Sequence, residues 1–268
     1  MTSAAHALVL LTAKGISKRF GGVHALADVG FTINHGEIYG LIGPNGAGKT
    51  SLFNVLTGIY TQDGGEFMFD GLPLTGLKPH EVAARGIART FQNIRLFANL
   101  SALENVMIGR HVRTHAGVWG AVSRNAATRS EEAAIERRAY ELLEYVGVEK
   151  RANALAKHLA YGDQRRLEIA RALATEPKLL ALDEPAAGMN ATETTALKRL
   201  LEGIRHDGTT ILLIEHDMKL VMSVCDRVLV LDYGKKIAEG PAAEVQKDPQ
   251  VIAAYLGGEV TLNLKGAA

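Results

Sequence analysis

The chain has 268 residues, of which 47% are hydrophobic and 22% are charged, enough apolar content to bury a full globular core. The 30 Lys and Arg residues nearly balance the 29 Asp and Glu residues, so no global field favours nucleic acid or an anionic membrane surface. The single cysteine, Cys225, excludes an internal disulfide and is expected to lie in the core.

The chain begins with sequence typical of strands and turns. Residues 1–14 lack the basic start and the length of apolar run that a signal peptide needs, and no apolar run approaches the ~18 residues of a membrane-spanning helix. The chain is therefore expected to stay in the cytoplasm. From about residue 7 to residue 92, alternating segments such as Val29–Ile33 and Glu66–Asp70, separated by Gly-Gly and Asp-Gly pairs, predict strands joined by turns.

A helical pattern replaces the strand pattern from about residue 93 to residue 158. One helix is predicted to open at Ser130 and to stop at Gly147. Its apolar face consists of Ile135, Leu142, Leu143 and Val146. Farther along, the continuous apolar runs Leu179–Leu182 and Ile211–Ile214 alternate with helical stretches, as buried parallel strands do. The sequence therefore predicts an α/β core interrupted by a helical insertion.

The strongest chemical signal is a glycine-rich loop between a predicted strand, Glu37–Ile42, and a predicted helix, Ser51–Leu56. In such a loop the backbone N–H groups point inward at a phosphate chain, and the helix adds its positive N-terminal end. Lys49 is expected to reach the β- and γ-phosphates, and the Thr50 hydroxyl, with Ser51 behind it, to bind Mg²⁺. The candidate nucleotide-binding residues are Gly43, Pro44, Asn45, Gly46, Ala47, Gly48, Lys49, Thr50 and Ser51.

Two adjacent acids, Asp183 and Glu184, end the apolar run that begins at Leu179. Asp183 is expected to hold Mg²⁺, directly or through its waters, and Glu184 to orient and deprotonate an attacking water. Two further polar side chains, those of Gln92 and His216, follow segments where strands are expected to stop. A lone Gln or His at a strand end is more often a satisfied surface group, so these two residues need the context of the other motifs.

Together these motifs resemble the nucleotide-binding subunits of ATP-binding cassette (ABC) transporters, over about residues 8–257 and in the order typical of that family. Gly43–Thr50 matches the Walker A loop, and Leu179–Glu184 matches the Walker B strand. Gln92 matches the Q-loop and His216 the switch histidine. The signature motif is matched by residues 159–164, and the D-loop by residues 187–190.

The resemblance implies a role for each matched residue. It implies that Glu184 is the catalytic base, that His216 contacts the γ-phosphate, and that Gln92 senses Mg²⁺ and the transmembrane partner. Phe20 lies where the family places an aromatic ring against adenine, although Phe31 is a similar packing residue nearby. The implied cofactors are ATP and Mg²⁺, and the implied metal-binding residues are Thr50, Gln92 and Asp183.

The signature motif departs from the usual Leu-Ser-Gly-Gly-Gln of the family. Ala160 replaces the serine, Tyr161 replaces a glycine and Asp163 replaces the glutamine. The missing serine hydroxyl is expected to cost roughly 1.5 to 3 kcal/mol in the stability of a nucleotide sandwiched between two subunits. Backbone N–H groups at a helix start after Gly162 are expected to face the γ-phosphate on the partner. The candidate contacts are Ala160, Tyr161, Gly162, Asp163, Gln164 and Asn190.

Three charged residues follow the signature motif: Arg165, Arg166 and Glu168. We interpret them as a solvated helix face rather than as groups with direct chemistry. The Leu-Ala-Tyr-Gly form, the Arg-Arg-Leu-Glu-Ile-Ala-Arg run, the asparagine at position 190 and the ending at residues 252–257 resemble one subgroup, the ATPases of branched-chain amino acid importers.

The resemblance also implies the fold and its division. The fold class is α/β, a P-loop NTPase (RecA-like) core with an N-terminal antiparallel β subdomain and a helical insertion subdomain. The chain is expected to be a single nucleotide-binding domain, with the β subdomain and the core at about residues 7–92 and 165–257. The helical subdomain is expected at about residues 93–164.

The implied partners are integral membrane permease subunits and a second ABC ATPase, either a different chain or a second copy, bound head to tail. A periplasmic or extracellular solute-binding protein is an indirect partner, and nucleic acid is not expected. The chain is thus expected on the inner face of the cell membrane. Residues 93–109 are expected to dock the permease through Leu96, Phe97 and Leu100, although each of these could equally be core.

The substrate is inferred from resemblance only, and branched-chain or related amino acids come first. Urea, short amides and other polar solutes are the alternatives. A cassette ATPase that acts mechanically on DNA or ribosomes is a different class, but the sequence shows none of the long coiled-coil insertions, tandem cassettes or basic linkers expected of it. A third interpretation, a P-loop small-molecule kinase, is disfavoured because a kinase needs neither Glu184 nor the signature motif.

Overall fold

The computed structural model describes residues 8–110 and 126–255. The chain divides into two compact units, one formed by Met1–Val82 with Leu201–Ala268 and the other by Ala83–Leu200. The sequence predicts a different division, into a β subdomain with the core and a helical subdomain at about residues 93–164. Those subdomain boundaries stay a prediction. Within the described ranges, no helix has the combination of length and low polarity that crossing a bilayer requires.

Among the described residues, strands outnumber helices up to residue 110, and helices are more frequent from residue 126 onward. Up to residue 110 the elements are β1 (Val9–Phe20), β2 (Val23–Asn34), β3 (Ile38–Ile42), α1 (Lys49–Leu56), β4 (Gly64–Phe69), β5 (Leu72–Pro73), α2 (Pro79–Arg85), β6 (Ile87–Arg89) and α3 (Ala102–Arg110). From residue 126 they are α4 (Ala126–Tyr145), α5 (Tyr161–Leu173), β7 (Leu179–Asp183), α6 (Ala191–His206), β8 (Thr210–Ile214), α7 (Met218–Val224), β9 (Arg227–Asp232), β10 (Lys235–Pro241) and α8 (Ala242–Val245). Short 3₁₀ turns cover Glu149–Arg151 and Ala156–His158, and residues 249–255 are helical.

The first unit contains an antiparallel and a largely parallel arrangement of strands. Four strands pair antiparallel in the order β2-β1-β4-β5. In the other arrangement β3 pairs parallel with both β8 and β9, and β10 pairs antiparallel with β9. Every residue of β3 and β8 is buried, which explains why their sequences are apolar without alternation. The predicted α/β fold with an N-terminal antiparallel sheet is confirmed.

The second unit combines a parallel strand pair with a cluster of helices. Strands β6 and β7 pair in parallel, with Arg89 opposite Ala181. Helix α3 contacts both α4 and α5, and α4 contacts α5. Buried side chains from all three helices, such as Val106, Leu143 and Leu167, form the core of this cluster. The predicted burial of Cys225, which belongs to the first unit, is also confirmed.

Helix α4 ends where the sequence indicated but begins earlier. After Tyr145 the Val148 N–H donates to the Leu143 carbonyl at 2.8 Å, and the Gly147 N–H donates to the Glu144 carbonyl at 2.9 Å. Gly147 has a φ of 74°, so the end is a Schellman motif that requires a left-handed residue. The predicted start at Ser130 was wrong. The helix is already formed at Ala126, because the residues before Ser130 include two alanines of high helix propensity.

The helical pattern predicted from residue 93 begins later than expected, at Ala102. Residues 93–101 contain no helix or strand beyond an isolated bridge at Ser101. The start of α3 is a capping box, in which the Glu104 N–H donates to Ser101 Oγ at 3.2 Å and the Ser101 N–H donates to Glu104 Oε2 at 2.7 Å. The Ser-Ala-Leu-Glu sequence carries this signal, which did not enter the prediction of the helix start.

Candidate functional site

The candidate residues are divided between the two units. In the first unit the glycine-rich loop lies between β3 and α1. Gly48 precedes α1 with a φ of 103°, and a Cβ atom there would lie 2.5 Å from the Ala25 carbonyl oxygen. Any other residue would require backbone movement at this position. Since α1 has no acidic residue in its first turn, its N-terminal end keeps the positive polarity that suits an anion.

Lys49 is held inside the glycine-rich loop. Its side chain is buried, and Nζ donates to the carbonyl oxygen of Gly43 at 2.6 Å and to that of Pro44 at 3.0 Å. The adjacent Thr50 is exposed and Ser51 is half-buried. The loop therefore holds an ammonium group by its own carbonyls beside an exposed threonine, and the roles of the two residues toward phosphates and a metal ion stay predictions.

The two phenylalanines considered for adenine differ in their surroundings. Phe20 is 44% exposed and meets Tyr60 edge to face, with ring centroids 5.2 Å apart. Phe31 is only 5% exposed and stacks on Tyr39 in the core. Of the two, Phe20 is the ring exposed to solvent, and its role against adenine stays a prediction.

His216 follows β8 at the same edge of the parallel strands as the glycine-rich loop. Leu41 of β3 pairs with Ile214 of β8, so the loops after both strands leave the carboxyl edge together. The His216 side chain is 61% exposed, with Nδ1 3.8 Å from Oε2 of the buried Glu215. Asp217 then caps α7 by accepting from the Lys219 N–H at 2.8 Å.

In the second unit the structure brings Gln92 and Glu184 together. Gln92 Nε2 donates to Glu184 Oε2 at 2.9 Å, although the two residues are 92 positions apart in the chain. Glu184 has a φ of 47°, a conformation that costs a non-glycine residue of order 1–3 kcal/mol and that occurs often at functional sites. The Q-loop side chain is therefore already in contact with the candidate base.

The backbone next to this pair is fixed by Thr90, which is almost fully buried. The Thr90 N–H donates to the Ala181 carbonyl at 2.9 Å, and the Asp183 N–H donates to Thr90 Oγ1 at 3.3 Å. Asp183 is itself 5% exposed. Burial lowers the pKa of the nearby Arg89 to about 10, while the charge of Asp183 opposes this shift. Thr90 and Arg89 were not among the residues predicted from the sequence.

The signature motif forms the start of α5, two residues earlier than the predicted start after Gly162. The helix begins at Tyr161 with Ala160 as its N-cap, and no side chain caps it. The predicted start after Gly162 was therefore wrong. Asp163 forms an ion pair with Arg166, and Gln164 Nε2 donates to the Leu159 carbonyl at 2.9 Å.

The interpretation of Arg165 and Glu168 as a solvated face was wrong. Arg165 is 3% exposed and Glu168 is 1% exposed, whereas the side chain of Arg166 is partly exposed. The error arose because α5 is buried on several sides, so its charged positions could not be assigned to solvent by residue type. The available signal was the spacing of three between opposite charges in a helix that is otherwise apolar from Leu167 to Ala170.

Asn190, predicted to bind nucleotide, is the N-cap of α6 in this structure. Its Oδ1 accepts from the N–H groups of Thr192 and Glu193 at 3.0 Å, and its own N–H donates to Glu193 Oε2 at 2.9 Å. Glu193 also lies against the signature motif, since a Cβ atom on Gly162 would lie 2.7 Å from Glu193 Oε1. The D-loop and the signature motif are thus neighbours within this unit.

The oxygen donors assigned to Mg²⁺ suit that ion. Thr50 offers a hydroxyl, Asp183 a carboxylate and Gln92 an amide oxygen, which are hard ligands of the kind Mg²⁺ prefers. In the part of the chain that the structure describes, no group of three or more His, Cys, Asp and Glu side chains could hold a metal ion.

Comparison with known proteins gives two family matches. Residues 26–187 match the family described as ABC transporter, and residues 235–261 match one described as branched-chain amino acid ATP-binding cassette transporter. The chain is 45% identical over 249 residues to the high-affinity branched-chain amino acid transport ATP-binding protein LivG of Escherichia coli K12, covering 92% of this chain and 98% of LivG. It is 44% identical over 250 residues to BraF of Pseudomonas aeruginosa, with the same coverage.

Two solved structures resemble the fold over most of its length. The ADP conformation of MJ1267, an ATP-binding cassette of an ABC transporter, aligns with a TM-score of 0.81 at 31% identity and covers 93% of this chain and 99% of that one. The ATP-binding cassette MJ0796, a dimer with bound ADP and phosphate, aligns with a TM-score of 0.74 at 26% identity, covering 87% of this chain and 99% of that one.

Proposed function

The chain belongs to the ABC transporter family, and on that premise we propose that it is the ATP-hydrolysing subunit of an importer for branched-chain amino acids. Membership of the family makes it a nucleotide-binding ATPase. The branched-chain substrate is supported by the identity to LivG and BraF and by the match of residues 235–261 to the branched-chain family. Urea, short amides and other polar solutes remain the alternative substrates.

We assign the hydrolytic roles to residues whose geometry supports them. Lys49 and the N-terminal end of α1 neutralise charge on the phosphates, and Glu184 takes the proton of the attacking water. Thr50, Asp183 and Gln92 would hold Mg²⁺, which would supply further charge neutralisation at the phosphates. The observation that carries this assignment is the hydrogen bond from Gln92 Nε2 to Glu184 Oε2, because it orients the carboxylate.

The variant Glu184→Gln tests the assignment of the base. Its amide oxygen can still accept from Gln92 Nε2, but it cannot take a proton, so turnover should fall by about 10² to 10⁴ with ATP affinity little changed. Turnover is measured as phosphate release and affinity with a fluorescent ATP analogue. Glu66→Gln, which alters an exposed carboxylate on β4, is the control and should retain the wild-type rate. A Glu184→Gln protein that hydrolyses ATP at the wild-type rate would place the base elsewhere.

The substrate is tested in membrane vesicles that contain the permease subunits and a solute-binding protein. ATP-dependent uptake of leucine with the wild-type chain, and its loss with Glu184→Gln, is the expected result. Uptake of urea or acetamide without leucine would support the alternative solutes. ATP turnover with no uptake of any solute would favour a cassette ATPase that does not take part in transport.

We further propose that residues 93–109 dock the permease, which would hold the chain on the inner face of the membrane. A cavity of about 240 Å³ in the second unit is lined by Ile94, Leu96, Ala98, Ala156, Lys157 and Gln164. Phe97 beside it is 48% exposed, and Leu96 and Leu100 are half-buried rather than core residues. A groove that is lined by both apolar and polar side chains, among them the signature residue Gln164, supports a docking surface for a protein segment.

Cross-linking tests this surface. With the buried Cys225 left in place, Ala98→Cys should form disulfides with cysteines scanned through the cytoplasmic loops of the permease. Lys14→Cys, on an exposed part of β1, is the control that should not cross-link. A complete scan without a product at position 98 would argue against docking there.

A further inference from the structure

Two opposite charges are buried in α5 behind the signature motif. Arg165 is 3% exposed and Glu168 is 1% exposed, with Arg165 Nη1 3.5 Å from Glu168 Oε2. Burying a charged side chain is unfavourable unless it is paired and hydrogen-bonded, so such a pair requires partners beyond itself. Desolvation raises the pKa of Glu168, although the neighbouring cations and backbone donors oppose that shift.

The partners are the backbone groups on either side of Gln92. Arg165 Nη1 donates to the Phe91 carbonyl at 2.7 Å, and Nη2 donates to the Gln92 carbonyl. Glu168 Oε1 accepts from the N–H of Phe91 at 3.4 Å and from the N–H of Arg95 at 3.3 Å. These residues belong to neither a helix nor a strand, so α5 supplies the hydrogen-bond partners that regular structure would otherwise provide.

A third charged side chain of α5 extends the same contact. Arg171 Nη1 donates to the Arg95 carbonyl at 2.6 Å, and Arg171 Nη2 lies 3.9 Å from Glu168 Oε1. The spacing of three places Arg165, Glu168 and Arg171 along one stripe of the helix. The three side chains of this stripe therefore hold the backbone segment from residue 91 to residue 95 at both ends of the segment.

The same arginine contacts the signature motif. Arg165 Nη2 donates to the Tyr161 hydroxyl at 3.1 Å, and its Cζ lies 5.5 Å from the centroid of the Tyr161 ring. Tyr161 in turn lies against the D-loop, since a Cβ atom on Gly188 would lie 3.1 Å from Tyr161 Cε1. Arg165 thus touches both the residue that orients the candidate base and the residue that replaces a glycine of the usual signature.

We propose that Arg165 and Glu168 are positioning residues that hold the backbone of Gln92 so that its carboxamide binds Glu184, and that they tie this hydrogen bond to the position of Tyr161. The proposal rests on the proposed function, because it takes Gln92 and Glu184 to act in ATP hydrolysis. A shift of α5 relative to residues 91–95 would move the Gln92 carbonyl and so withdraw the carboxamide from the carboxylate. The arginine acts through Gln92 and does not itself touch the nucleotide.

The first test is Arg165→Lys, which keeps a positive charge beside Glu168 but cannot bind two carbonyls in a fixed fork. We expect kcat for ATP to fall by about tenfold with KM changed less than about twofold, because misplaced catalytic groups lower turnover rather than ground-state binding. The matched control is Arg138→Lys, in an exposed ion pair with Glu141 that has the same i,i+3 spacing on α4. The control should match the wild type in both constants.

A double-mutant cycle separates positioning from general stabilisation. If Arg165 acts through Gln92, then Arg165→Lys should lower kcat by less than about twofold in a Gln92→Ala background. Equal losses in both backgrounds would overturn the proposal, and so would wild-type kcat in Arg165→Lys. Should Arg165→Lys not fold, the variant Arg165→Met with Glu168→Met replaces the pair by apolar side chains and is measured in the same cycle with the same expected outcomes.

The same variants distinguish a failure of the positioning role from a failure of the proposed function. Wild-type turnover in both Gln92→Ala and Glu184→Gln would overturn the proposed function and this proposal together. Loss of turnover in those two variants, with Arg165→Lys and the apolar pair behaving like the control, would overturn the positioning role alone.

Discussion

Burial decides the chemistry of single side chains in this protein, as the two phenylalanines near the N-terminus show. Phe31 stacks on Tyr39 in the core, while Phe20 keeps 44% of its surface exposed beside Tyr60. The two residues have the same side chain and lie in consecutive strands. Because the side chains are identical, the difference in burial alone makes Phe31 a packing residue and Phe20 a candidate contact for adenine.

The lone cysteine gives a prediction at the residue scale. Burial raises the pKa of the Cys225 thiol to about 12, so at pH 9 only about one molecule in 10³ would carry a thiolate. An exposed thiol of ordinary pKa is mostly ionised at that pH. We therefore expect the folded protein to resist alkylation by iodoacetamide at pH 9 and the protein in denaturant to react readily, as measured by mass spectrometry.

An exposed cysteine provides the control for that measurement. Lys14→Cys, at a side chain that is 69% exposed, should be alkylated in the folded protein while Cys225 in the same molecule is not. Alkylation of native Cys225 at a rate similar to that of Cys introduced at position 14 would contradict the burial argument.

At the scale of elements, α5 shows how one helix can serve a core and a site together. Leu167, Ile169 and Ala170 pack in the core, while Arg165 and Glu168 bind the backbone around Gln92. A helix buried on several sides is usually apolar all round. The charged stripe departs from that rule because the neighbouring segment has backbone groups that need partners.

The packing of α3 on α5 gives a prediction at the same scale. Gly109 lies in α3, and a Cβ atom there would overlap the Arg171 carbonyl oxygen and lie 3.1 Å from Ala174 Cβ. Helix propensity alone favours alanine over glycine by about 0.5–1 kcal/mol. We expect Gly109→Ala to lower the free energy of unfolding by about 1–3 kcal/mol instead, because overpacking forces the two helices apart.

Urea denaturation followed by circular dichroism measures the change. Gly22→Ala is the control, since a Cβ atom at Gly22 would meet nothing within 4 Å, and its midpoint should stay near that of the wild type. A Gly109→Ala protein that is more stable than the wild type would mean that α3 shifts without cost.

At the scale of the whole molecule, we predict that each nucleotide site combines the glycine-rich loop of one subunit with the signature motif of the other. We expect Lys49→Ala to remove nucleotide binding or turnover, and Gly162→Asp to disable the signature motif by adding bulk and negative charge at the start of α5, beside Glu193. In a head-to-tail dimer of these two variants, one site combines both lesions and the other has none. Mixing the two inactive proteins should therefore restore ATP hydrolysis, up to about half of the activity per dimer if the sites act independently.

The mixing experiment depends on folded and associating variants. Gly162→Asp places its side chain near Glu193 Oε1, so circular dichroism and light scattering must first show that the variant folds and associates. High protein and ATP concentrations are needed because the serine of the usual signature is absent at Ala160. If the physiological dimer contains a second, different ATPase, the two lesions are placed on the two chains. In either dimer, a mixture no more active than its components would contradict the prediction, because it would mean that each signature motif acts on the nucleotide of its own subunit.

The sequence by itself determined the parts of this protein that depend on local pattern. The apolar runs at Leu179–Leu182 and Ile211–Ile214 predicted buried parallel strands, and Gly147 predicted the end of α4. The glycine-rich loop could be found because its conformation requires residues such as Gly48 at fixed positions. These features rest on backbone conformation and periodicity, which a few consecutive residues are enough to specify.

The tertiary structure decided the features that depend on residues far apart in the chain. Arg165 and Glu168 were assigned to solvent from their residue type, yet both are buried against backbone more than 70 positions away. The hydrogen bond between Gln92 and Glu184 likewise joins positions from two different loops. Local sequence could suggest each partner but not its burial or its contact, because the cost of burying a charge is offset only by groups that folding brings to it.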